Sequence, residues 1–224
     1  MPVITRLQTL APESFSSQIQ QMVVDYLSDI SSVGMTLDNP LYPLYQYGVG
    51  FEVHLYLQAM DGQRQLSVEV VLALDDDDPS RVLGFTLYLP ADGDPRACTI
   101  AYMAVLASHR RQGIARAMLA KVLTFYPQLE LACVVRQVPC FEGMGLHVLG
   151  ARGPQVLMNS HGQASEGRVA VLEVAPIYNS LEVRQIHAYL LKQHGEQSMI
   201  DAERQRDDEL DRLTEEARVF VRRH

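Results

Sequence analysis

The densest chemistry in this 224-residue sequence lies where apolar Met103-Ala104-Val105-Leu106 runs into Ala107-Ser108-His109-Arg110-Arg111-Gln112-Gly113-Ile114-Ala115-Arg116. The spacing of Ile114, Ala117, Met118, Val122 and Phe125 predicts a helix with one apolar face, beginning where the basic loop ends. A helix start leaves its first amides without partners and carries partial positive charge, so an anion is stabilised there. Gly113 and Ala115 keep bulk off the backbone, and Arg110, Arg111 and Arg116 add full charges. The junction therefore suits a phosphate-bearing ligand. The plainer alternative is a strand-to-helix turn that happens to expose arginines.

Other reactive side chains form no comparable set. Three cysteines, Cys98, Cys133 and Cys140, have neither the even count of a disulfide framework nor a Cys-x-x-Cys spacing, so reduced thiols are expected. The seven histidines include no His-x-x-x-His pair, and no metal is expected. Asp75-Asp76-Asp77-Asp78 reads as a solvated hairpin tip, because it lacks a convergent ligand set. With 27 acidic against 19 basic residues the net charge is −8, which disfavours nucleic acid as a partner and slightly favours a cationic one. Apolar runs fall well short of the roughly 20 residues that cross a bilayer, and no secretory signal is seen at Met1-Pro2-Val3, so a cytoplasmic location is expected.

Elements must hold the basic loop in place. Residues 3 to 10 alternate as a strand, and Pro12-Glu13 opens a helix containing Ile19, Met22 and Val23. Leu37 to Gly50, dense in Pro, Gly and Tyr, is expected to be irregular backbone with exposed ring edges, either a packed loop or a wall of an acceptor pocket. Leu66 to Leu74 and Arg81 to Leu89 read as a hairpin, and a third antiparallel strand, Cys98 to Leu106, leads into the basic loop. Leu129 to Val135 is a buried-type strand, Pro139 begins a short helix, and Gly143 and Gly145 end it. Two further strands are expected at Gln155 to Met158 and Arg168 to Ala175. From Ser180 the composition turns to Glu, Arg, Gln and Leu in helical register, broken by Gly195. The division expected is residues 1–178 as one domain and 179–224 as a helical extension. The stripe Leu210, Leu213, Ala217, Phe220 must dock, on the core or on a second copy in a homodimer, since opposite charges four apart hold an isolated helix only weakly.

Arg110-x-x-Gly113-x-Ala115, following Ala104-Val105, resembles the Gln/Arg-x-x-Gly-x-Gly/Ala signature of the GNAT N-acetyltransferases. Phe141-Glu142-Gly143-Met144-Gly145-Leu146 is similar to that family's later Tyr-Glu-x-x-Gly-Phe, and the strands and helix between them come in the family's order. The resemblance spans about residues 3 to 178 in element order and is motif-specific over 98 to 146. It implies an α/β fold, a mixed and mostly antiparallel sheet flanked by helices and splayed between its fourth and fifth strands. It further implies acetyl-CoA or a related acyl-CoA as cosubstrate. Met103, Ala104 and Val105 would then supply the strand backbone that pairs with pantetheine, Arg111, Gln112, Gly113, Ile114, Ala115 and Arg116 would bind the pyrophosphate, and Arg110 would frame the loop.

The catalytic side of the pattern departs from the family. Phe141 stands where many members have a tyrosine that protonates the departing thiolate, Val134 where many have an asparagine, and Thr99 where some have a glutamate base. Glu130 is the nearest carboxylate on the fifth strand. Cys140, Tyr102 and His109 are conceivable substitutes, with burial, strand packing and loop solvation as their ordinary roles. The function implied is direct transfer of an acetyl or short acyl group to an amine. The alternative is a non-catalytic acyl-CoA-binding or interaction module that uses its C-terminal helices for a partner.

Overall fold

A computed structural model of the chain describes residues 2–31, 35–62, 66–162 and 167–224. Seven strands form one sheet in the order β1-β2-β3-β4-β5-β7-β6. They are β1 (Val3–Leu7), β2 (Glu69–Leu74), β3 (Val82–Pro90), β4 (Ala97–Val105), β5 (Gln128–Cys133), β6 (His147–Arg152) and β7 (Gln155–Asn159). Every neighbouring pair is antiparallel except β4 and β5, which run parallel. Strand β2 is buried throughout and β3 at all but its last residue, as expected of central strands covered on both faces.

The helices are α1 (Glu13–Asp25), α2 (Leu27–Ile30), α3 (Tyr42–Ala59), α4 (Ile114–Leu123), α5 (Val138–Glu142), α6 (Ala175–Tyr178), α7 (Leu181–His194) and α8 (Glu196–Arg223). One core joins α1, α3, α7 and the start of α8 to one sheet face through Ile19, Val53, Leu72, Phe85, Leu190 and Met199. The other joins α4, α5 and the end of α8 to the opposite face through Tyr88, Met118, Leu129, Met158 and Ala217. Among the described residues, no helix is long and apolar enough to cross a membrane.

Three expectations are corrected. The segment Leu37 to Gly50 is not irregular: from Tyr42 it forms α3, 18 residues long, with Tyr42, Val49, Val53, Tyr56 and Leu57 buried at helical spacing. Pro43 sits in the first turn, where a missing N–H costs nothing. Gly48 serves close approach and not a turn, since a Cβ there would lie 2.7 Å from the Tyr178 ring. Arg168 to Ala175 is not a strand; only Arg168 pairs, in a single bridge to Asp92. The outer strand is instead β6, reached after Gly145 and returned through Gly153 at φ +54. Part of the Gly-rich segment expected before Arg168, residues 163–166, lies outside the described residues. Finally, Phe125 is 40% exposed and leaves the buried face of α4, which is Ile114, Met118, Leu119 and Val122; its ring lies under the Arg6 guanidinium at 3.9 Å.

The C-terminal helices belong to both cores. Ser180 caps α7 by accepting from the Val183 amide, and α7 packs on α3. Helix α8 starts against α3, where buried Asn39 donates to the Ala202 carbonyl at 3.2 Å and Arg206 donates to the Tyr45 hydroxyl at 2.8 Å. It then runs across β6 and β7, burying Ala217 fully, with Phe220 and Val221 packed beside it. The expected stripe thus docks on its own chain. It packs on one face of the edge strand β6 and its neighbour β7.

Candidate active site

The site begins where two parallel strands part. Pairing of β4 with β5 is limited to Ala97↔Gln128, Cys98↔Leu129 and Thr99↔Glu130, after which the two strands separate, β4 staying paired with β3 and β5 with β7. A register shift between Leu87 and Tyr88 leaves Ala101 bulged from β4, which strengthens local twist and turns the strand away from β5. The resulting cleft has a volume of about 870 Å³ and passes through the sheet. Ile30 and Ala104 border it on the α1–α3 side, and Cys133, Phe141 and Met144 border it on the α4 side.

At one end lies the N-terminus of α4. Gly113, the N-cap, has φ +81 and no side chain with which to cap the helix, so the first-turn amides stay available to an anion. A Cβ at Gly113 would meet nothing within 4 Å, which shows how open the approach is. Arg111 also adopts the left-handed region, at φ 62, a conformation that side-chain-bearing residues hold at a cost and that tends to mark ligand-binding backbone. Together these features fit a pyrophosphate.

The residues singled out in the sequence fall as follows. Met103, Ala104, Val105, Arg110, Arg111, Gly113, Ile114, Ala115 and Arg116 line the cleft, whereas the Gln112 side chain turns back to donate to the Ser108 carbonyl at 3.3 Å. Arg116 donates to the Gly143 carbonyl at 2.7 Å and so ties the basic loop to the turn after α5. Arg110 is already engaged: it donates to the Val105 carbonyl, lies over the Tyr26 ring at 4.6 Å and pairs with Asp29 at 3.0 Å. Asp29 also faces Arg136 at 3.7 Å, and Gln137 donates to the Asp29 carbonyl at 2.8 Å. Helix α2 therefore straps the loop after β4 to the loop after β5. These exposed ion pairs add little stability, so the strap is held mainly by its several backbone contacts.

Phe141 is half-buried and Cys140 exposed, and both border the cleft. Cys133 lies behind Cys140, and its burial pushes that thiol up to about 12. His109 stands at the rim, its Nδ1 2.8 Å from the Ser108 hydroxyl. Tyr102 turns away, into the layer under α3. Glu130 alternates with buried Leu129 and Leu131, so it occupies the α3 side of β5, opposite Thr99 at the point where the strands part. Among the described residues, no group of three or more His, Cys, Asp or Glu could hold a metal ion.

One contribution was missed in the sequence. Asp29 and Ile30 reach the cleft from α2, which carries no motif of its own.

Residues 38–142, from just before α3 to the end of α5, match the model of the acetyltransferase (GNAT) family. That segment is similar to the family's domain. A search of curated protein sequences returned no match. Among solved structures, the PaiA N-acetyltransferase of Thermoplasma acidophilum, in complex with coenzyme A, is 8% identical with a TM-score of 0.52; the alignment covers 70% of this chain and 98% of that one. A GNAT-family protein of Desulfovibrio desulfuricans is 17% identical with a TM-score of 0.49, over 78% of this chain and 100% of that one. An aminoglycoside 6′-N-acetyltransferase complexed with coenzyme A is 12% identical with a TM-score of 0.49, over 70% and 95%. At these identities the likeness is one of fold.

Proposed function

We propose that this GNAT domain moves an acetyl or short acyl group from acyl-CoA to an amine by direct transfer. The observation that carries the reading is the single cleft that joins the uncapped start of α4 to the unpaired edge of β4. Acyl-CoA supplies an activated thioester and a pyrophosphate handle. The amides of Arg111 to Arg116 and the Arg111 and Arg116 side chains suit the handle, while the free edge of Met103 to Val105 suits the amides of the pantetheine arm. A β4 amide beside the Ala101 bulge polarises the carbonyl oxygen, and the enclosure holds amine and thioester together, so positioning supplies much of the rate. Phe141 offers no proton to the leaving thiolate, which points to water or Cys140 for that step. In this reading residues 1–178 bind the cosubstrate, and residues 179–224 brace α3 and the β6 edge.

The test is thiol release from acetyl-CoA across a panel of primary amines and peptides with free amino termini, run beside calorimetric binding of CoA. Binding with turnover of at least one amine is the expected result. Binding without turnover across the panel would instead favour a non-catalytic acyl-CoA-binding module.

A further inference from the structure

We propose that α2 is a latch across the mouth of the cleft, with Asp29 as its catch, and that its opening sets how fast acyl-CoA enters and leaves. The inference rests on the reading that acyl-CoA occupies this cleft and adds a gate to it.

The cleft is a ring and not an open notch. At one end it is closed by the pairing of β4 with β5, which stops at Thr99↔Glu130. At the other end the segments that follow the two strands both reach for α2. From the β4 side, Arg110 pairs with the Asp29 carboxylate at 3.0 Å. From the β5 side, Arg136 donates to the Ser28 carbonyl at 2.9 Å and faces the Asp29 carboxylate at 3.7 Å, while Gln137 donates to the Asp29 carbonyl at 2.8 Å. Asp29, Ile30, Arg110 and Gln137 all border the cleft, so this crossing closes the space that the pantetheine arm would fill. Latched, the ring admits the arm only end-on, acyl group first. With α2 lifted, the arm can settle sideways onto the free edge of β4.

The ties suit a part that moves. Helix α2 is a single turn of four residues, too short to hold its shape without partners. Its root is fixed, since Leu27 is buried in the core and the hydroxyl of Tyr26 just before it accepts from the Ala107 amide at 2.9 Å. Beyond Leu27 the hold passes to exposed groups. Asp29, Arg110 and Arg136 all stand in solvent, where water and salt screen their pairs, so losing one such pair shifts an equilibrium by only about two- to fivefold. A crossing with a firm root and weak outer ties opens often and closes again, and segments of this kind commonly set the rates of ligand entry and release.

The experiment measures the association and dissociation rates of CoA on the tethered full chain by surface plasmon resonance, comparing the parent with Asp29→Asn, Arg136→Gln and Gln137→Ala. A gate that closes both before and after entry changes the two rates together. Each variant should therefore raise kon and koff in parallel by about two- to fivefold, with Kd within about twofold of the parent. The charges separate a latch from simple attraction. Asp29→Asn removes a negative charge at the mouth and Arg136→Gln a positive one, so attraction of the CoA phosphates alone would speed one association and slow the other. Gln137→Ala changes no charge and carries the test by itself if a charge variant fails to fold. The inference is overturned if the two charge variants move kon in opposite directions, or if both rates of all folded variants stay within about 1.5-fold of the parent. It is also overturned if koff rises with kon unchanged, which would make α2 a contact of the bound arm and not a gate. A parent that binds CoA beside variants with unmoved rates removes this inference alone, whereas a parent that binds no CoA removes the acyl-CoA reading and the inference with it.

Discussion

The two sides of β4 were built by different means. On the α4 side the cleft is bounded by backbone: a glycine N-cap at φ +81, a left-handed Arg111 and a helix start without a side-chain cap. On the other side it is bounded by side chains, Asp29 and Ile30 of α2, with Asp29 held by Arg110 and Arg136. The first kind of site lives within a few consecutive residues, so a short sequence spells it out. The second draws on Asp29, Arg110 and Arg136, which meet only after the sheet and helices have packed.

The sharpest way to break this comparison is at Gly113. Gly113→Glu places a carboxylate and a side chain in left-handed backbone where the phosphates would approach, although the space itself is open. CoA affinity by calorimetry should fall at least about a hundredfold, which is about 2.7 kcal/mol. Strain of that backbone should cost about 1–3 kcal/mol of stability, visible as a lower but still cooperative melt. A folded variant with parental CoA affinity would remove phosphate binding from this loop.

A smaller effect is expected where the sides meet, at Phe141. Phe141→Tyr adds one hydroxyl at the wall of the cleft and should leave CoA affinity within about twofold. If the hydroxyl reaches the departing thiolate, thiol release rises, by up to about tenfold, with an unchanged melting temperature. If it is buried against Met144 and its neighbours without a partner, stability drops by about 1–3 kcal/mol instead. Lower CoA affinity would show that Phe141 packs on the arm of the cosubstrate and not beside its sulfur.

How much of this was legible follows the same division. The hairpin β2–β3, strand β4, the basic loop and α4 were readable because alternation, a charged turn and a helical apolar face are local patterns. The C-terminal break at Gly195 and the need for the last helix to dock were readable from its narrow apolar stripe. Helix α3 was not, because Pro43, Gly48 and Gly50 are turn formers in isolation. Their reasons are tertiary: a first-turn proline, and a glycine that lets Tyr178 approach. Strand β6 was missed and 168–175 mistaken for a strand because both are short apolar stretches beside glycines, and partner geometry alone separates them. The basic loop before α4 could be placed from sequence, whereas the face of Glu130 and the direction of Tyr102 required the strand register.

The central claim is that the parted strands and the start of α4 together hold acyl-CoA. The most direct test is a titration of the isotopically labelled chain with CoA, following each backbone amide by NMR. The account predicts the largest shifts at Met103 to Val105 and Arg111 to Arg116, with smaller ones around Phe141. The groove formed by Pro43, Ile186, Tyr189 and His194 on the far side of α3 should stay silent. Shifts concentrated in that groove or along α8, with the amides of the basic loop unmoved, would contradict it.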